Sequence, residues 1–230
     1  MSRLLKLLRR TVEVSWCVVA LTAGSPARAA DLPQPVLQWL AAQTQVSSWT
    51  ADLTQTRKLK SLAQPLISNG RVWFAVPNKI RWELGSPART IAVRGVGDLV
   101  VVYPLLKRAE RFSLNGSGPW KEMIALMEGG FFRDAAEFDR QFKVLSVNTT
   151  NAICTLQLQP KSSGARRMMP LFTLAFGVSD HGLVGTELQF ADGSTLRNEF
   201  ANAIRNPQLD ESVFVPPIDP SYTVVEPMKR

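Results

Sequence analysis

The side chains able to do acid–base or nucleophilic chemistry are few and scattered. The sole histidine is His181, inside Ser179-Asp180-His181-Gly182, a composition that makes hairpin turns. A Ser–His–Asp relay would have to use that turn, and there is no G-x-S-x-G elbow. Asn115-Gly116-Ser117-Gly118 only imitates one, in a loop ahead of a helix. A soft-metal site needs clustered His, Cys or carboxylates, and His181 and Cys154 stand far apart. Asp134, Glu137 and Asp139 are close together, but a solvated helix face accounts for them. No Gly-rich phosphate loop opens a helix after a strand. These residues predict no catalytic group, no metal and no cofactor.

What the chain has in quantity is apolar side chains repeating on one face of successive segments. In Arg71–Val76, Val72, Phe74 and Val76 alternate; in Lys79–Leu84, Ile80, Trp82 and Leu84 oppose Lys79, Arg81 and Glu83. Strict alternation marks strands with one apolar and one wet face. Trp49–Arg57 carries Trp49, Ala51 and Leu53 on one side, and Leu171–Gly177 carries Phe172, Leu174 and Phe176. Two physical meanings fit the alternation equally well: a close-packed core, or the lining of a cavity for an apolar ligand.

Further strands are predicted at Arg89–Arg94, Asp98–Tyr103, Lys107–Leu114, Phe142–Val147, Ile153–Gln159, Leu183–Phe190 and Thr195–Ala201. Asp180-His181-Gly182 and Asp192-Gly193 supply tight turns. A helix is predicted over Val36–Val46, with Leu37, Leu40, Ala41 and Thr44 on its stripe and Pro35 in its first turn. A second runs from Trp120 to Glu128 behind Pro119, ending at Gly129-Gly130, with Trp120, Met123, Ile124 and Met127 on its stripe. Asp134 caps a third, short helix through Arg140 that carries Phe138. The predicted fold is mainly β: an incomplete, half-open antiparallel barrel of about eleven strands with a short helical lid.

The N-terminus reads as an export signal. Arg3, Lys6, Arg9 and Arg10 precede an apolar stretch from Val12 to Ala23, and Ala27-Arg28-Ala29 forms a small-residue cleavage site before Ala30. The apolar stretch is shorter than the roughly 20 residues a membrane helix needs. Residues 1–29 are expected to be removed, leaving 30–230 as a single domain in the periplasm. The formal charge then falls from +8 to +4, because five of the basic residues and one acid leave with the signal. No Lys/Arg block with interleaved aromatics exists, so nucleic acid is not an expected partner. Cys154 becomes the sole cysteine, which rules out an internal disulfide, and its neighbours Ile153 and Leu156 predict a buried, inert thiol.

Three stretches of the chain resemble the LolA family of periplasmic lipoprotein carriers. They are Trp49-Thr50-Ala51-Asp52-Leu53-Thr54-Gln55-Thr56; the run from Gly70 through Pro77-Asn78-Lys79-Ile80-Arg81-Trp82-Glu83; and Phe190 through Gly193-Ser194 to Phe200, followed by Leu209-Asp210 and Phe214-Val215-Pro216-Pro217. The resemblance implies acyl chains of lipoproteins or related lipids bound on the apolar face. It implies cargo received from an inner-membrane ABC-type releasing complex and passed to an outer-membrane acceptor, by a monomer without enzymatic activity. The expected lining is Trp49, Leu53, Val72, Phe74, Val76, Ile80, Trp82, Phe172, Leu174 and Phe176, with Met123 and Met127 from the lid. The family usually has an arginine before the strand-ending proline, contacting the lid. This chain has Val76 there, which removes those charge-assisted hydrogen bonds. The alternative reading is an envelope lipid sensor or protein-interaction module on the same scaffold.

Overall fold

The computed structural model describes residues 32–95, 97–114 and 134–227. The expected signal peptide and the Trp120–Glu128 helix, with Met123 and Met127, lie outside the described residues.

Twelve strands hydrogen-bond into one open sheet. In chain order they are β1 (Ser48–Lys58), β2 (Leu66–Ala75), β3 (Lys79–Leu84), β4 (Thr90–Arg94), β5 (Asp98–Tyr103), β6 (Arg108–Ser113), β7 (Phe142–Thr150), β8 (Ile153–Pro160), β9 (Leu171–Gly177), β10 (Leu183–Gln189), β11 (Thr195–Arg205) and β12 (Thr223–Val225). Their spatial order is β12-β6-β5-β4-β3-β2-β1-β11-β10-β9-β8-β7. Every pairing is antiparallel except that of β12, which runs parallel to β6. Three α-helices among the described residues accompany the sheet: α1 (Gln34–Gln43), α2 (Ala135–Gln141) and α3 (Ser163–Met168). The expected mainly-β, half-open architecture is therefore present, with one strand more than anticipated.

The extra strand, β12, has only three residues and no alternation to betray it. β7 and β11 also run further than their apolar pattern, to Thr150 and Arg205, because their ends are exposed on both faces and hydrophobicity leaves no trace there. On α1 the buried stripe is Val36, Trp39, Leu40 and Gln43, not the expected Leu37, Leu40, Ala41 and Thr44. Both sets have helical spacing; the one holding Trp39 offers more apolar area to remove from water, and it turns inward. For α2 the sequence reading holds: the Asp134 carboxylate accepts from the Glu137 N–H at 2.6 Å, and Phe138 is buried.

The inner face of the sheet carries the main core. Val36, Trp39 and Leu40 of α1 pack with Trp49, Val72, Phe74, Leu156, Phe172, Leu174 and Phe176. Phe142 links α2 to the sheet, 6.2 Å from Phe138 and 5.5 Å from Phe172 between ring centroids. Trp82 of β3 and Phe200 of β11 converge over this face at 6.2 Å although two strands separate them.

The outer face carries a smaller cluster, Ile91, Val93, Val100, Val102 and Ala109, covered by Ile218 and Tyr222 of the C-terminal segment. Arg81 fastens that segment. Its guanidinium donates to the Val213 carbonyl at 3.0 Å and pairs with Glu83 at 2.6 Å, while Lys79 pairs with Glu211. The adjacent residues Arg81 and Trp82 thus serve opposite faces, as period-two alternation requires.

Two glycines let strands approach closely. A Cβ on Gly70 would sit 1.8 Å from the Glu83 carbonyl oxygen, and one on Gly185 would sit 2.8 Å from that of Asn198.

Candidate functional site

A cavity of about 730 Å³ opens on the inner face, beyond the part that α1 fills. Its volume lies within the roughly 300–1,000 Å³ usual for small-molecule sites. One wall is β1, β3 and β4, contributing Gln55, Arg57, Trp82, Leu84, Thr90 and Ala92. The opposite wall is α3 and the β10–β11 turn, contributing Arg167, Met168, Phe190, Asp192 and Ser194, and Leu196 of β11 stands beside Arg57. Ladder pairing explains why these side chains share a face: Trp82 lies opposite Ala92, Leu84 opposite Thr90, and Arg57 opposite Leu196.

The twelve residues expected from sequence divide sharply. Trp82 lines the cavity. Trp49, Val72, Phe74, Phe172, Leu174 and Phe176 are buried in the core, Leu53 is buried as well, and Ile80 packs half-buried against the core. Val76 is a correction: expected on the apolar face, it is 51 % exposed. The β2–β3 ladder ends at Ala75 opposite Lys79, so Val76-Pro77-Asn78 forms the connecting loop, where alternation no longer controls direction. Asn78 takes the left-handed conformation there, with φ 65°. Met123 and Met127 lie outside the described residues.

Sequence reasoning missed α3, which brings Arg167 and Met168 to the cavity. Gly164 and Pro170 interrupt the stretch, so no helical run stands out there. The available signal was Ser162, whose hydroxyl accepts from the Ala165 N–H at 3.4 Å as an N-cap. It also missed the rim residues of the β10–β11 turn, because turn composition signals a reversal and not what the turn faces.

The polar groups near the cavity are held in place. Gln55 donates to Asn198 at 3.1 Å, and Asn198 donates to Thr186 at 3.1 Å, a buried ladder across β1, β11 and β10. Asp192 accepts from the Ser194 hydroxyl at 2.6 Å and its N–H at 2.9 Å. The hydroxyl bond first, then the N–H bond, hold the Asp192 carboxyl below the usual carboxylate range, and the charge of Lys60 adds to this. The Trp82 indole N–H is buried without a hydrogen-bond acceptor among the described residues.

Elsewhere the reactive residue types are dispersed. His181 occupies the β9–β10 turn at φ 55°, with its carbonyl accepting from Gln43 at 3.4 Å. Cys154 is fully buried; desolvation pushes its thiol pKa up, against a hydrogen bond with Thr149 that lowers it. No group of three or more His, Cys, Asp or Glu side chains able to hold a metal exists among the described residues. No helix among them is long and apolar enough to cross a membrane.

An open, almost wholly antiparallel sheet with a largely apolar cavity beside its packed core defines a half-open β-barrel fold. The chain matches the family model for the outer membrane lipoprotein carrier protein LolA over residues 44–217. It belongs to the LolA family.

Among solved structures, an uncharacterized conserved protein from Thermus thermophilus shares the fold. It has a TM-score of 0.50 and 11% identity, over 84% of this chain and 98% of that one. A putative outer membrane lipoprotein-sorting protein domain from Vibrio parahaemolyticus aligns with a TM-score of 0.46 and 13% identity, over 81% and 97%. The MucA/MucB complex of Pseudomonas aeruginosa aligns at 0.43 and 13%, over 82% and 62%. A search of the curated proteins found no match.

Proposed function

We propose that this protein is an exported periplasmic carrier, without catalytic activity, that shelters the acyl chains of lipoproteins or related lipids during transfer from the inner to the outer membrane. In this reading residues 1–29 are the cleaved signal, and 30–230 form a single, monomeric carrier domain. An ABC-type complex of the inner membrane loads it, and an outer-membrane acceptor unloads it.

The observation that carries the reading is the cavity itself. A domain that needed only stability would gain by filling about 730 Å³ lined by Trp82, Leu84, Met168, Phe190 and Leu196, since close packing is the rule in protein interiors. An acyl chain entering this space removes apolar surface from water, worth roughly 0.8 kcal/mol per buried CH₂. Membership of a family described as lipoprotein carriers supports the same occupant. The tightly packed Trp49, Phe74, Phe172 and Phe176 then act as the rigid floor of the site, and Trp82 touches the cargo.

Native mass spectrometry with lipid extraction on protein purified from the periplasm tests the proposal. Co-purifying acylated lipoprotein or lipid is expected, and Trp82→Glu is expected to lose it while remaining folded and exported. A ligand-free mass that also takes up no acylated ligand on titration overturns the carrier reading and moves the interaction-module alternative ahead.

A further inference from the structure

Two arginines line the largely apolar cavity, and neither guanidinium is engaged among the described residues. Arg57 lies near the end of β1 and Arg167 near the end of α3, on opposite walls, and both are exposed. Neither makes a side-chain hydrogen bond or ion pair among the described residues. Other arginines of the chain are tied down. Arg166, next in α3, donates to the Pro160 carbonyl at 3.2 Å and to that of Lys161 at 3.3 Å. Arg81, Arg108, Arg111 and Arg197 each pair with a carboxylate. The one carboxylate in the lining, Asp192, is occupied by Ser194 and lies under the influence of Lys60. Among the described residues the lining therefore holds two unpaired arginines against the single carboxylate of Asp192, a net positive charge.

Resting on the carrier reading, with a related lipid and not a lipoprotein as the cargo, we propose that the cavity selects acyl lipids that carry an anionic head, a carboxylate or a phosphate. The chain lies against Trp82, Leu84, Met168, Phe190 and Leu196, and the head is held at the mouth between Arg57 and Arg167. A planar guanidinium offers paired N–H donors that match the oxygens of either group. A neutral headgroup can accept single hydrogen bonds from a guanidinium but gains no ion pairing. The apolar wall and the cationic rim together orient an amphiphile: tail inward, charge at the solvent boundary, where desolvation of the head is small.

The test is competitive displacement of a fluorescent acyl probe from the mature protein by three ligands of equal chain length: dodecanoic acid, dodecanoyl lysophosphatidic acid and monododecanoylglycerol. The anionic ligands are expected to bind about tenfold more tightly than the neutral one, with the advantage shrinking as salt is added. The double variant Arg57→Gln/Arg167→Gln, checked for cooperative melting, is expected to bring the anionic ligands down to the neutral ligand's level. Arg57→Lys/Arg167→Lys is expected to keep part of the preference. Preference for only one anionic ligand supports the proposal and identifies the headgroup. Equal affinity for all three, unchanged in the double Gln variant, overturns the headgroup assignment and leaves the carrier reading standing. Displacement by none of them overturns the carrier reading as well.

Discussion

Trp39 of α1 stacks on Phe176 of β9, with ring centroids 4.8 Å apart and planes inclined by 14°. This pair belongs to the closed part of the inner face. Where α1 lays Trp39 on the sheet, apolar side chains form solid core. Beyond its reach, between β3 and the β10–β11 turn, the same kind of face is left as a cavity. The prediction is that Trp39→Ala destabilises the protein by about 3–5 kcal/mol, the usual cost of deleting a buried aromatic. A double-mutant cycle with Phe176→Leu is expected to show roughly 0.5–1.5 kcal/mol of coupling for the stacked pair. Denaturant unfolding measures both, and additive effects would show that the stacking contributes nothing specific.

Gly70 is expected to be irreplaceable for a backbone reason. A methyl group there would lie 1.8 Å from the Glu83 carbonyl oxygen, a contact that no side-chain rotation relieves. Gly70→Ala must push β2 and β3 apart next to Leu84, which lines the cavity. A loss of about 1–3 kcal/mol is expected, as for other overpacking substitutions, together with weaker acyl-probe binding. Retention of full stability by urea titration would contradict the close strand approach.

Three Asp-x-Ser turns set a pH dependence. In each of Asp192, Asp210 and Asp219 the carboxyl is held below its usual range, first by the hydroxyl and then by the N–H of the serine two residues on. A depressed folded value means that the unfolded chain binds protons more readily. The stability these groups contribute is therefore complete above the ordinary aspartate value, about 3.9. It is lost as pH falls through the lower folded values. The combined Ser194→Ala, Ser212→Ala and Ser221→Ala variant should show a shallower decline when unfolding is followed from about pH 5 to about pH 2. Parallel acid limbs for the two proteins would mean that the serines do not hold the carboxyls down.

Much of the molecule was legible in the chain because its causes are local. β3 ends where its alternation ends and β5 where its continuous apolar run ends, Asp134 caps α2 as its type and position dictate, and the Asp180 and Asp192 turns fall at their glycines. Each depends on side-chain polarity at fixed spacing or on a residue's own φ preference. The family motif around Arg81 and Trp82 was equally visible, as was its division between the two faces, although Arg81's hold on the C-terminal segment was not.

The tertiary structure alone decided which apolar residues are core and which border empty space. Phe172, Leu174 and Phe176 alternate in the same way as Ile80, Trp82 and Leu84. A period of two says only that a side chain leaves water, and not whether protein atoms or a ligand replace the water. The outcome depended on where α1 stops, on α3 carrying Arg167 and Met168 to the opposite wall, and on Val76 falling in the β2–β3 loop instead of the ladder. These relations join residues more than a hundred positions apart, such as Arg57 and Leu196, and no window along the chain contains them.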